Sequence, residues 1–134
     1  MPARQATGLF GWHTEKPLQE LLGYVNAPFA LLMGVPPRDA LAIGQILGER
    51  IVLNEFFGYL TLSAQQPRLD PRSYTLATYA LCGFANFASV AIQIGGIGAL
   101  VPSRRADLAQ LGLRAMVAGL LACYLTACVA GILT

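Results

Sequence analysis

The sequence predicts an all-α membrane protein, because it is poor in charge and its apolar runs are long. Only 12% of its 134 residues are charged and 55% are hydrophobic, whereas about 25% of an average soluble domain is charged. The mean hydropathy is +0.55. Uncharged runs cover residues 21–37, 56–67, 73–103 and 115–134. A chain of this composition cannot surround itself with polar surface, so we expect one domain in the bilayer.

Several function classes are excluded at this level. The net charge is only +2 and the basic residues are scattered, which argues against a nucleic-acid partner. No nucleophile with a histidine base, no paired carboxylates and no cofactor fingerprint are present, so the chain is not expected to be an enzyme or to need a cofactor. His13 has no cluster of metal ligands around it. Cys82, Cys123 and Cys128 lie in apolar stretches and are interpreted as small buried hydrophobic residues.

Residues 17–35 are predicted to form a short helix, either interfacial or a partial span. The stretch carries Glu20 and Asn26, and Pro28 is expected to interrupt it. It is too short and too polar to cross a bilayer as a regular helix.

Residues 36–63 contain two apolar arms, ALAIGQIL and FFGYLTLS, with a polar cluster between them: Gly48, Glu49, Arg50, Asn54 and Glu55. Neither arm is long enough to span a bilayer alone, so a re-entrant helical hairpin with its polar tip inside the protein is predicted. A single long tilted helix is the alternative, but it would place three charges near its middle.

Residues 72–103 are too long for one straight span, and a broken transmembrane helix is predicted there. The polar group Asn86, Ser89 and Gln93 precedes the glycine-rich sequence GGIG at residues 95–98, and the glycines are expected to serve the break. Broken helices at membrane depth line protein-enclosed or water-filled cavities, as in transporters. The alternative is a tilted helix whose polar side chains only bond to its neighbours.

Residues 106–134 read as a C-terminal transmembrane helix, since about 20 apolar residues suffice for a span. Ala115, Gly119, Cys123 and Ala127 recur at helical spacing. Small residues on one face are typical of a helix that packs closely against another.

Two long motifs resemble the concentrative nucleoside transporters: GERIVLNEFFGY at residues 48–59 and YALCGFANFASVAIQIGGIGALVPSRR at residues 79–105. They occur in the family's order and are followed by the helix LGLRAMVAGLLACYLTACVAGIL. The resemblance covers residues 17–134, and residues 1–16 lie outside it. One departure is Arg50, which stands where the family has lysine and is less compact than lysine.

The resemblance implies a trimeric carrier, coupled to Na⁺ or H⁺, that contains two inverted repeats. This chain resembles the second repeat, so the hairpin that reads the nucleobase and most of the cation site would come from the first. We therefore expect a nucleoside substrate, a multi-pass location in a plasma or bacterial inner membrane, and either a missing N-terminal half or a homo-oligomer as partner. The alternatives are a truncated non-transporting remnant or a small membrane accessory protein.

Glu55 is the main candidate for substrate binding. An ionised carboxylate accepts two hydroxyl hydrogens in charge-assisted bonds, and the resemblance places Glu55 on the ribose. The alternative is a buried ion pair with Arg50. Asn54 is expected to cap a helix or stabilise the hairpin tip, with a ligand role as the weaker alternative.

Asn86 and Ser89 are three residues apart and are expected on one helix face, where they would offer an amide and a hydroxyl to the same sugar. The resemblance assigns both positions to the ribose. It also implies that Phe84 forms an apolar wall near the ligand, although ordinary core packing explains that residue nearly as well.

Overall fold

The computed structural model describes residues 17–134; residues 1–16, which were placed outside the resemblance, lie outside the described part. The described part is all-helical and contains no strand, which confirms the all-α part of the predicted class. It has six α-helices: α1 (Pro17–Leu32), α2 (Pro37–Val52), α3 (Glu55–Gln65), α4 (Pro71–Leu81), α5 (Phe87–Leu100) and α6 (Arg105–Leu133). Short 3₁₀ turns at Gln66–Arg68 and Pro102–Arg104 precede α4 and α6.

The first helix, α1, runs without interruption through Pro28, so the expected break at that proline is wrong. Its packing against α2 explains the continuity. A Cβ atom on Gly44 of α2 would lie 2.8 Å from the backbone nitrogen of Ala27, so the two backbones are in direct contact there. Gly34 links the two helices with a φ of 93°, a left-handed conformation that glycine adopts at little cost.

Residues 37–65 form two helices, α2 and α3, and not one long helix. The turn lies at Leu53 and Asn54. Asn54 has extended backbone, and its side-chain oxygen accepts a hydrogen bond from the backbone N–H of Phe57 at 3.2 Å. Asparagine is a preferred N-cap residue, so the start of α3 follows from this residue. The Thr61 hydroxyl also donates to Glu49 Oε2 at 2.7 Å, which ties the two arms together.

The break between α4 and α5 lies at residues 82–86, so the expectation that the glycines of GGIG serve it is wrong. Gly95 and Gly96 lie inside the continuous helix α5, and a Cβ added to either would meet nothing within 4 Å. An isolated glycine costs a helix only about 1 kcal/mol. The helix is instead restarted by Asn86, whose side-chain oxygen accepts from the backbone N–H of Ser89.

Within residues 17–134, one helical stretch is long and apolar enough to cross a membrane. This stretch is Pro102–Leu133, which includes α6. Its most apolar 18 residues have a mean hydropathy of 2.2, and only 22% of them are buried. Helix α5 is apolar but has 14 residues, fewer than a perpendicular span needs. The inner face of α6 carries the buried Tyr124, whose hydroxyl donates to Asn26 Oδ1 of α1 at 2.8 Å.

The core is apolar and is formed by residues of α1, α2, α3, α4 and α6. Its fully buried side chains include Ile43, Leu47, Leu76, Leu81 and Ala127. Leu62 of α3 also belongs to this core, whereas α5 packs mainly against α6.

Candidate functional site

The N-terminal ends of α3 and α5 meet through one pair of side chains. Asn86 Nδ2 donates a hydrogen bond to Glu55 Oε2 at 2.9 Å, and Asn86 Oδ1 accepts from the Ser89 N–H at 2.8 Å. Asn86 is 1% exposed. Both ends of its amide are therefore fixed, one by the helix that it caps and the other by the carboxylate.

Glu55 is half-buried and keeps hydrogen-bonding capacity. Only Oε2 is engaged by Asn86; within residues 17–134 the structure gives Oε1 no partner. The carboxylate lies in the first turn of α3 and touches the N-cap of α5. Helix N-termini carry partial positive charge, so the negative charge is favourably placed there.

The alternative ion pair between Glu55 and Arg50 is not formed. The salt bridges among residues 17–134 join Arg38 to Asp39, Arg38 to Asp70 and Arg104 to Asp107, and none of them includes Glu55.

Asn86 precedes α5, so the expectation that Asn86 and Ser89 share a helical face is wrong. The two residues are related as N-cap and third helical position, which is why the backbone of Ser89 binds the side chain of Asn86. The Ser89 hydroxyl makes no hydrogen bond within residues 17–134. It is half-buried, one turn from the Asn86 to Glu55 contact.

Phe84 lies in the same break as Asn86, whose backbone N–H donates to the Phe84 oxygen at 3.1 Å. It is 74% exposed, which does not fit core packing, and it lines a cavity of about 420 Å³ between α5 and α6 together with Gln93, Met116 and Cys123. Neither Glu55, Asn86 nor Ser89 borders that cavity. Cys82, in the same break, is exposed, so its interpretation as a buried hydrophobic residue is wrong.

Arg50 is the residue beside this site whose role the sequence did not indicate. It is fully buried in the last turn of α2. Nη1 donates to the backbone oxygen of Ala80, and Nη2 donates to Cys123 Sγ at 3.3 Å, while Nε is buried without a partner. A charge inside an apolar segment was the available signal, but nothing in the sequence indicates which backbone group it reaches.

Sequence comparison relates the chain to transporters. Residues 5–131 match the family described as Na⁺ dependent nucleoside transporter C-terminus; the match begins inside the segment that was placed outside the resemblance. The uncharacterized transporter YutK of Bacillus subtilis is 47% identical over 126 residues, which are 94% of this chain and 31% of that protein. The sodium/nucleoside cotransporter 1 of Rattus norvegicus is 42% identical, with coverage of 86% and 20%.

Solved structures show the same relationship. The chain matches CNTnw in an inward-facing substrate-bound state with a TM-score of 0.80 and 38% identity, over 85% of this chain and 29% of that one. CNTnw variants match with TM-scores of 0.79 in an outward-facing state and 0.81 in an intermediate state. The chain thus spans less than a third of the length of these relatives. The predicted resemblance is confirmed: the chain belongs to the concentrative nucleoside transporter family, whose C-terminal domain it matches.

Proposed function

We propose that this chain is the ribose-binding half of a cation-coupled nucleoside carrier. The observation that carries the proposal is the Glu55 carboxylate, held by Asn86 on one oxygen and, among residues 17–134, without a partner on the other. A half-buried acid with an unused oxygen in a membrane protein is by default functional. The relatives that are named as nucleoside transporters support the substrate class.

The Glu55 carboxylate and the Ser89 hydroxyl suit a sugar with neighbouring hydroxyl groups. Glu55 Oε1 accepts one hydroxyl hydrogen in a charge-assisted bond, and the hydroxyl of Ser89 offers a second polar contact from the first turn of α5. Asn54 is engaged as the cap of α3, so we assign it to the shape of the hairpin and not to the ligand. Phe84 remains a candidate apolar contact, because it is exposed in the same break.

The rest of the carrier would supply what this domain lacks. The part of the relatives outside the match would provide the nucleobase contacts and most of the site for Na⁺ or H⁺, whether it lies on the same polypeptide or on a separate one. In this proposal α2 and α3 enter and leave the membrane on one side, α6 crosses it, and the assembly is a multi-pass cell-membrane protein, a trimer as in the family. Similar TM-scores to inward- and outward-facing CNTnw are consistent with a unit that keeps its fold during alternating access.

Uptake is expected when the chain is supplied with the missing part. The chain is co-expressed with the portion of YutK that lies outside the match, in cells that lack nucleoside uptake, and radiolabelled uridine and adenosine are offered. Saturable uptake that neither part gives alone is the expected result. If both parts are inserted in the membrane and associate but no nucleoside enters, the alternative of a non-transporting remnant or accessory protein is correct.

The arginines suggest how the chain is oriented. Arg104 and Arg105 lie at the start of α6 and Arg114 in its first half, whereas Arg68 lies just before α4 and Arg72 in the first turn of α4. Arginine and lysine favour the cytoplasmic side. The difference is small, but it favours a cytoplasmic start of α6 with Thr134 outside, as the resemblance also implies.

A single-cysteine variant measures this orientation in intact cells. Ser103→Cys is made in a background in which Cys82, Cys123 and Cys128 are replaced by serine. We expect the new thiol to react with a membrane-permeant maleimide but not with an impermeant one added outside. Reaction with the impermeant reagent from outside would show the opposite orientation.

A further inference from the structure

We propose that Arg50 is a positioning residue: its buried guanidinium holds the break between α4 and α5 in place, and thereby sets the position of Asn86 and the direction of the Glu55 carboxylate. We call the effect of Arg50 on the break the structural arm of this inference, and its effect on sugar recognition at Glu55 the substrate arm. The substrate arm rests on the proposed function, and the structural arm does not.

The break creates a need for hydrogen-bond donors. The last carbonyl groups of α4 lack the usual amide donors four residues ahead, because the helix ends at Leu81. The Tyr79 oxygen accepts from the Cys82 N–H and the Thr78 oxygen from the Tyr59 hydroxyl, which leaves the Ala80 oxygen in need of a donor. In a protein embedded in lipid such groups must be satisfied internally. Ala80 contributes one of these carbonyls, and Arg50 donates to it from another helix.

The surroundings of the guanidinium show that it joins several elements. Nη2 contacts Cys123 of α6 at 3.3 Å, and it would lie 3.6 Å from a Cβ on Gly83 in the break. The stem of Arg50 packs against Gly58 of α3, where a Cβ would be 3.5 Å from Arg50 Cβ. One side chain of α2 therefore contacts α3, the end of α4, the break and α6.

The charge of Arg50 is not balanced by a carboxylate in residues 17–134. Glu49 is bonded to Thr61, and Glu55 is bonded to Asn86. The negative end of the α4 dipole is what faces the guanidinium, and a cation at a helix C-terminus is stabilising. This partner exists only while α4 ends at the break.

The two sides of the break are thus both tied to the hairpin of α2 and α3. Arg50 binds the last turn of α4, and Glu55 binds the cap of α5. Loss of the first contact leaves the Ala80 carbonyl without its donor, so the break must rearrange and Asn86 must shift with it. Lysine would reach one acceptor as a point charge, whereas the arginine fork reaches Ala80 and Cys123 together.

Hydrogen exchange of the whole chain in lipid nanodiscs tests the structural arm. In Arg50→Met we expect the amides of residues 82–89 to exchange about tenfold faster, and in Arg50→Lys by a smaller factor. The amides of α1 should not change. Arg114→Met, which removes an exposed arginine from α6, is the matched control and should leave residues 82–89 unchanged.

Two outcomes would overturn the inference: unchanged exchange in residues 82–89, or equal acceleration in every helix. If Arg50→Met does not fold, Cys123→Ala and Arg50→Lys decide the question. Cys123→Ala removes the contact that aims the guanidinium at Ala80, and Arg50→Lys replaces the two-pronged donor by a single point charge, so each weakens the hold on the Ala80 carbonyl without emptying the site. Faster exchange confined to the break supports the role of Arg50, and no change in either variant rejects it.

Uptake in the co-expressed carrier tests the substrate arm. Arg50→Met should reduce the preference for a ribonucleoside over its 2′,3′-dideoxy analogue by about tenfold, and Arg50→Lys should restore most of it. A purely structural role would lower the maximum rate and leave the preference unchanged, which would contradict the inference. If wild type itself shows no preference, the proposed function fails while the exchange result stands.

Discussion

Replacing Glu55 by glutamine is expected to weaken ribonucleoside binding by about ten- to a hundredfold, because hydrogen bonds to a charged group are worth roughly 1.5 to 3 kcal/mol. The substitution keeps the shape of the side chain and leaves an oxygen for Asn86 Nδ2, but it removes the charge. The apparent affinity for uridine in the co-expressed carrier is the measurement. If Glu55 binds the ribose, the loss of affinity must also be larger for ligands that carry the ribose hydroxyls than for ligands that lack them.

A 2′,3′-dideoxynucleoside lacks those hydroxyls, so it should bind wild type poorly and lose little more in Glu55→Gln. The matched control is Glu49→Gln, which removes a carboxylate of the same hairpin that is bonded to Thr61 and not to Asn86. It should leave the ratio of ribonucleoside to dideoxynucleoside affinity unchanged. Equal weakening of both ligands by Glu55→Gln would mean that Glu55 has a structural role.

Gly44→Ala is expected to destabilise the packing of α1 on α2 by about 1 to 3 kcal/mol or more. The added Cβ would lie 2.8 Å from the Ala27 nitrogen and would also meet the carbonyl oxygen of Gly23. Both are backbone atoms of α1, so no side-chain rotation relieves the overlap and the helices must move apart. Titration of the chain in mixed micelles with a denaturing detergent, followed by circular dichroism, measures the loss.

The control for this substitution is Gly96→Ala in α5, where a Cβ would meet nothing within 4 Å. Alanine is a better helix former than glycine by about 1 kcal/mol, so this variant should be as stable as wild type or more so. Similar destabilisation by both substitutions would indicate that the contact between α1 and α2 differs from the one described. A strong loss in Gly96→Ala would restore the glycines as part of a helix break.

Local sequence determined the class of this protein and the start of α3 and α5. Low charge and long apolar runs indicate the membrane, since these quantities are sums over residues and do not depend on which residues meet. Asn54 and Asn86 start α3 and α5 because an asparagine side chain can bond to the backbone two or three residues ahead. The motifs around Glu55 and Asn86 were long enough to identify the family.

Tertiary structure alone decided which groups meet across the break. Contact between Glu55 and Asn86 joins residues 31 positions apart, and contact between Arg50 and Cys123 joins residues 73 apart; no helical periodicity relates such positions. The break lies before Asn86 and not at the glycines, because a capping side chain starts a helix whereas an isolated glycine costs a helix only about 1 kcal/mol. The sequence of an apolar segment does not show which group a buried charge will contact. The Glu55 carboxylate is five residues from Arg50 in the sequence, yet Arg50 donates to the Ala80 carbonyl. That carbonyl is available only because α4 ends there.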